Sequence, residues 1–159
     1  MKKTAILTIV TTVACIGALL AQHDAGGDKK KPLSPPATAT ATVSGSDITV
    51  SYSAPSIRGR KIMGELVPYG KVWRTGANAA TTLKTDANLR IGDLSVPKGT
   101  YTLYSIPEAD GWTLIVNKQT GQWGTNYDAA QDLGRVKMNV SKAASPVETF
   151  VIDFHDVGT

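Results

Sequence analysis

From Ala37 onward the chain alternates with a period of two. Ala37, Ala39, Ala41 and Val43 interleave with Thr38, Thr40 and Thr42, and after Ser44-Gly45 the set Ile48, Val50 and Tyr52 continues the pattern. Successive side chains of a β-strand point to opposite faces, so this alternation predicts half-buried strands, here joined as a hairpin. The same period returns where Val136, Met138 and Val140 alternate with Lys137, Asn139 and Ser141, and again at Phe150, Ile152 and Phe154. Leu89-Arg90-Ile91 and Leu94-Ser95-Val96 flank Gly92-Asp93, a two-residue link suited to a tight hairpin. Pro97-Lys98-Gly99 turns the chain into Tyr101 to Ile106, and the residues from Glu108 to Gly111 turn it into Trp112 to Asn117. About seven or eight short strands with such turn signals predict an all-β fold, an antiparallel β-sandwich of jelly-roll type, with a barrel as the alternative. One short helix is expected from about Asn126 to Leu133, capped by Thr125 and stopped by Gly134.

One stretch breaks the rhythm. Between Ala54 and Ala80, Pro55, Gly59, Gly64, Pro68, Gly70 and Gly76 punctuate the chain at short intervals. This predicts a long structured loop with one helical turn near Lys61 to Leu66, because the embedded Tyr69, Val72 and Trp73 need burial.

The N-terminal part has a different character. Met1-Lys2-Lys3 is a basic start, followed by an apolar run from Ala5 to Leu20 with small residues at Ala18 and Ala21. That pattern reads as a secretory leader over residues 1–21, cleaved after Ala21, rather than as a retained membrane anchor. Cys15, the only cysteine, lies inside it. A lipid-modified cysteine is disfavoured, since Thr12-Val13-Ala14 approaches it poorly and the apolar Ile16 to Leu20 would then begin the mature chain. Residues 22–36 hold Gly26-Gly27, Lys29 to Lys31, Pro32, Pro35 and Pro36, the composition of a flexible linker. Residues 37–159 are left as a single β domain, exported to the periplasm or the medium, without thiol, disulfide or membrane span.

The formal charge of +4 and the pI near 9.2 invite a nucleic-acid reading. The charge is misplaced for it. Removing Lys2, Lys3 and Lys29 to Lys31 from the 17 Lys and Arg leaves 12 from Ser34 onward; removing Asp24 and Asp28 from the 13 Asp and Glu leaves 11. A phosphate-binding face needs clustered positive charge, so nucleic acid is disfavoured as a partner.

Four segments, in order, are recognisable: Arg58-Gly59-Arg60-Lys61-Ile62; Leu66-Val67-Pro68-Tyr69-Gly70-Lys71-Val72-Trp73-Arg74-Thr75-Gly76-Ala77-Asn78; Gly99 to Pro107; and Gln122-Trp123-Gly124-Thr125. Through them the chain closely resembles, from Ser34 to Phe154, a bacterial family of exported proteins known as domain of unknown function 2911. The resemblance implies export and a common fold, and no activity. Members of that family often carry a glutamate directly after the Gly-Ala-Asn word, where this chain has Ala79. The difference weakens any enzymatic reading that would rest on that carboxylate.

The most site-like residues are Trp73, Arg74, Thr75 and Asn78, which offer an aromatic plane, a guanidinium fork, a hydroxyl and an amide beside Gly76. Trp123 and Tyr127 would add aromatic walls, and Arg58 and Arg60 further positive charge, if their loops meet at one end of the fold. The alternative makes Trp73 a core plug, pairs Arg74 with a carboxylate such as Asp128, turns Asn78 to loop backbone and leaves the arginines solvated. Trp112 shares a face with Leu114 and Val116 and reads as core.

The catalytic inventory is thin. His155, beside Asp153 and Asp156, is the one histidine of the β domain, and no serine sits in a nucleophile elbow. Neither zinc nor calcium has a ligand spacing, and no cofactor is expected. Three functional classes stay open. The first is a non-catalytic envelope module binding a carbohydrate or small anionic ligand, in a groove between the Trp73 to Asn78 and Trp123 to Tyr127 loops. The second is a hydrolase using convergent carboxylates among Glu65, Glu108, Asp128 and Asp132. The third is an assembly protein acting through a sheet edge or an apolar patch.

Overall fold

The computed structural model describes residues 32–155. The expected leader, Cys15, most of the linker and Asp156 lie outside these residues.

Among the described residues eight strands form: β1 (Pro36–Val43), β2 (Ser46–Ser53), β3 (Thr81–Thr85), β4 (Leu89–Ile91), β5 (Leu94–Val96), β6 (Gly99–Pro107), β7 (Trp112–Asn117) and β8 (Asp132–Met138). Six of them make one antiparallel sheet in the order β1-β2-β3-β6-β7-β8, and β4 with β5 makes a separate two-stranded ribbon. The chain therefore meanders through neighbouring strands with one excursion, the β4-β5 hairpin, between β3 and β6. The fold is all-β and antiparallel, with a large sheet covered by a small one.

Turn chemistry sets the first hairpin. Val43 pairs with Ser46, leaving Ser44 and Gly45 as a two-residue loop with φ of 49° and 77°. Both angles are positive, as a type I′ turn demands, and that turn matches the twist of the strands it joins. The β4-β5 hairpin closes in the same length, with Ile91 opposite Leu94 across Gly92-Asp93.

Directly opposed residues of an antiparallel pair share a face. On one face of the large sheet this registers Ala39, Val50, Leu83, Tyr101 and Val116, all buried. The β4-β5 ribbon covers it with Val96, which is fully buried, and with Leu89, Ile91 and Leu94. The C-terminal segment completes the cover with Phe150, Ile152 and Phe154.

That last segment departs from the sequence expectation. Its period of two is real, since Phe150, Ile152 and Phe154 are partly buried while Val151, Asp153 and His155 are exposed, but it forms no strand. A single bridge joins Thr149 to Ser56, and Phe150 N–H donates to Pro55 O. Farther on, the Tyr52 hydroxyl takes the place of a ladder, accepting from Ile152 N–H at 3.0 Å. Packing against the core imposes the alternation here without a partner strand.

The expected helix is reduced to a 3-10 turn, Ala129–Gln131, capped by Asp128 rather than Thr125. Residues from Asp132 are drawn into β8 instead, since pairing with β7 buries one side of Leu133 and Val136 against the sheet. The turn expected near Lys61 to Leu66 is also not helical. Glu65 N–H and Val67 N–H both reach Ile62 O, and Lys61 pairs with Glu65 at 3.0 Å on the exposed side.

Candidate functional site

The long loop between β2 and β3 returns to the sheet before it ends. Trp73 exchanges both backbone hydrogen bonds with Ser105, at 2.7 and 2.9 Å, and Gly70 N–H donates to Pro107 O. Residues 70–73 thus run beside the end of β6, in the lane that β3 occupies further along. Opposite Ser105, the Trp73 ring lies on the core side. It meets Trp112 at 6.1 Å and Phe150 at 5.2 Å between ring centres, both edge-to-face.

The loop after β7 meets this loop. Ala80 N–H donates to Gln122 O, Gly124 N–H donates to Asn78 O at 3.0 Å, and Ala79 bridges Trp123. Gly124 is required there: a Cβ would stand 2.6 Å from Arg74 Cδ and 2.8 Å from Asn78 O. Gly76 has a similar role. A Cβ on it would meet the Ser53 carbonyl at 3.0 Å, so its missing side chain lets the loop lie against β2 rather than against a ligand.

Around this junction runs an open groove of about 1120 Å³, walled mainly by apolar side chains. Trp73, Arg74, Arg60 and Tyr127 all line it, with Tyr104, Gly124 and Thr125. Leu66 and Val147 of the wall are exposed at 57% each. Glu148 is the one carboxylate in the lining, and its Oε1 accepts from Arg58 N–H at 2.8 Å.

Four other sequence candidates lie elsewhere. Trp123 is 53% exposed and is not part of the groove lining. Thr75 donates to Ser105 Oγ at 2.9 Å, and the Asn78 amide donates to Ser34 O and Ser53 Oγ, both at 3.4 Å. Arg58 donates to Leu33 O and borders a smaller recess beside Pro32 and Pro35. Arg60 is partly engaged, donating to Ile57 O and Ser56 O.

Arg74 is different. It is half-buried and lines the groove, yet among the described residues its guanidinium has neither an ion pair nor a hydrogen bond. Asp128, a partner considered from sequence, instead accepts from Ala130 N–H at 2.9 Å and caps the 3-10 turn.

Tyr127 is held from behind. Its hydroxyl donates to Asp132 Oδ2 at 2.7 Å, and Arg135 grips the same carboxylate oxygen with two donors at 2.9 and 3.0 Å. Burial first, and then this hydrogen bond to Asp132, push the Tyr127 hydroxyl above the ordinary tyrosine range. The hydrogen bond to Asp132 also raises the Arg135 guanidinium. Tyr127 packs on Tyr104 at 4.9 Å, and the Tyr104 hydroxyl donates to Asn126 O.

Sequence reasoning missed this support. Asp132, Arg135, Tyr104, Asn117 and Gln122 form a polar layer on the face of β6 and β7 opposite the core. Asn117 is fully buried, its amide donating to Asp128 O and Asp132 Oδ1 and its carbonyl accepting from Gln119 N–H. Gln122 donates to Thr102 Oγ1 and the Tyr104 hydroxyl. One signal pointed to it: neither Gly99–Pro107 nor Trp112–Asn117 holds a charged residue. These two strands also carry large side chains on both sides, Tyr101 and Leu103 against Tyr104 and Ile106 in the first and Leu114 and Val116 against Ile115 in the second, and such strands need cover on both.

Residues 34–159 match the model of the protein family of unknown function DUF2911. The chain belongs to that family. The match spans both loops that build the groove, so this DUF2911 chain carries them as part of the family domain. The family's description assigns no activity. Comparison with curated proteins and with solved structures returned no match.

Among the described residues, each of the four carboxylates considered from sequence in this DUF2911 chain has a partner of its own. Glu65 pairs with Lys61, Glu108 with Lys137, and Asp132 with Arg135, while Asp128 caps its turn. Among the described residues no three His, Cys, Asp or Glu side chains cluster, and His155 is exposed beside Asp153. No helix among them is long and apolar enough to cross a membrane.

Proposed function

We propose that this protein is a non-catalytic binding module of the cell envelope, whose groove takes a small anionic ligand, an acidic sugar or an organic acid with an apolar body. Arg74 is the anion-holding group. Its planar fork suits a carboxylate, and an anion there would supply the partner that none of the described residues does. Trp73 and Tyr127, both partly exposed, give the aromatic surface on which a sugar ring or an apolar chain would lie, with the buried Tyr104 packed behind Tyr127. The observation that carries this reading is the half-buried Arg74, which has no ion pair or hydrogen bond among the described residues, in a mainly apolar wall that also holds Arg60 and Glu148. The envelope setting rests on the leader pattern of residues 1–21.

The test is a thermal-shift screen with acidic sugars, neutral sugars, organic acids and phosphate, run on protein purified after expression of the full chain and repeated on Arg74→Ala. A ligand at about 100 times its dissociation constant adds roughly 2.7 kcal/mol, a rise of several degrees in Tm for a domain of this size. The expected result is a shift with carboxylate-bearing compounds that Arg74→Ala abolishes while keeping its own Tm. A shift of equal size in Arg74→Ala, or an Arg74→Ala protein that is itself strongly destabilised and no ligand response in either, would overturn the proposal.

A further inference from the structure

The two edges of the large sheet are unlike. At β8 the ladder with β7 is irregular at Val116/Asn117, and Arg135 and Lys137 stand on the strand. Charges and irregularity are the usual protection of an open edge against pairing with another chain. At the other end, β1 is eight residues of PATATATV, regular in its pairing with β2 and without a charge. Among the described residues it pairs with β2 alone.

The direction of its hydrogen bonds follows from one contact. Ala54 N–H donates to Pro35 O, and residues 35 and 54 continue the register that pairs Pro36 with Ser53. Hydrogen-bonded pairs recur at every second residue of an antiparallel ladder, so Ala37, Ala39, Ala41 and Val43 bond inward to β2. Thr38, Thr40 and Thr42, all exposed, therefore aim their N–H and C=O groups outward. Pro36 and Ser44 lie at the two ends of that outward row, a residue with no N–H to offer and the first residue of the turn.

We infer that the β1 edge joins two copies of this chain, strand to antiparallel strand, about a two-fold axis at Thr40. The occupant follows from the register. With Thr40 opposite Thr40 of the second copy, Thr38 falls opposite Thr42, and every outward threonine both donates to and accepts from a threonine backbone. The pairing ends where Pro36 meets Ser44. On the core side Ala39 then faces Ala41 and Ala37 faces Val43, and on the other side threonine faces threonine, a favourable cross-strand pairing. No charge on β1 opposes its twin. The two six-stranded sheets become one continuous sheet, and because the axis closes on itself the protected β8 edges are left outward.

Charge-swapped variants test both the surface and its symmetry. Thr40→Lys and Thr40→Asp are each made in the full chain, and sedimentation equilibrium measures self-association of each alone and of the pair mixed. The wild type is expected to dimerise, and either variant alone to associate about fivefold or more weakly, since like charges then stand directly opposite across the axis. The mixture is expected to recover association at least as tight as the wild type. Thr40 is exposed, so both variants are expected to fold, which wild-type-like far-ultraviolet circular dichroism checks, since a weaker dimer lowers Tm by itself; Thr40→Pro, which removes an outward N–H and none that bonds to β2, gives an independent loss of association. A wild type that is monomeric at all concentrations, a dimer that neither charge variant weakens, or variants that the mixture does not rescue would overturn the inference.

Discussion

The two faces of β6 and β7 are buried by different means. On the core face, Leu103 and Val116 lie opposite each other and are covered by the β4-β5 ribbon and the Phe150 to Phe154 segment. On the other face, Thr102 lies opposite Asn117 and Tyr104 opposite Ile115, and the cover is the single loop from Lys118 to Gln131. Apolar burial is non-directional, so the core cover can be assembled from a short ribbon and a segment that is not even a strand. Polar burial is directional, because every hidden donor and acceptor needs its partner at about 3 Å. The polar face therefore holds its covering loop in one place, and that place brings Gly124 against Arg74 and Tyr127 to the groove.

If the core face bears the global stability, Leu103→Ala should have the largest effect, about 2–5 kcal/mol, lowering Tm and the denaturation midpoint for all probes together. Asn117→Ala should follow. It strands several buried partners at once, at about 1–3 kcal/mol for each group left unpaired. Its mark should differ: native-state hydrogen exchange should quicken most across residues 118–131, with β1 and β2 little changed. Equal acceleration everywhere in Asn117→Ala would erase the distinction between the faces.

Gly124→Ala sharpens the contrast at the groove. The added methyl meets Arg74 and the Asn78 carbonyl, so it should cost about 1–3 kcal/mol by overpacking and displace Arg74 from the wall. Loss of ligand response out of proportion to the loss of stability is the expected outcome in the thermal-shift screen. Retention of both would mean that the two loops yield freely.

The smallest effect belongs to Tyr127. Its hydroxyl has a raised pKa in the folded protein, so the stabilisation it contributes is fully present below its unfolded value of 10.0 and is lost as pH rises through the folded value. Difference titration against Tyr127→Phe should show that the missing phenol ionises above the ordinary range, and the variant should lose less stability as pH rises above the ordinary tyrosine value. A missing phenol that titrates at the ordinary value would mean that Asp132 and the buried setting do not hold it.

Much of the fold was legible in the alternation. The period of two at Ala37 to Tyr52 and the turn residues at Ser44-Gly45 and Gly92-Asp93 are local signals, and the hairpins formed where those signals stood. The C-terminal segment shows the limit of the method: its alternation reports which residues face a core and is silent on whether a strand lies beside it. The helix at Asn126 to Leu133 failed for a related reason. Asp128 made the better cap, and pairing with β7 claimed the residues from Asp132.

The groove residues divided on tertiary grounds. Trp73, Arg74, Arg60 and Tyr127 share a groove because the 70–73 segment pairs with β6 and the polar layer anchors the opposing loop, and neither contact leaves a trace in spacing. Thr75, Asn78 and Trp123 have the same residue types that a binding site would use, but their backbone settings turn them to Ser105, to Ser53 and to solvent.

By itself the sequence determined the all-β class, the positions of most strands and turns and the family to which the chain belongs, because these depend on residues near one another along the chain. Only the tertiary structure decided which strands neighbour which, that the centre of the sheet is buried on both faces, and that Arg74 lines a mainly apolar groove with no polar partner among the described residues. Those depend on partners up to 100 residues apart, as Tyr52 and Ile152 are, and long-range pairing is set by the packing of the whole rather than by any local pattern.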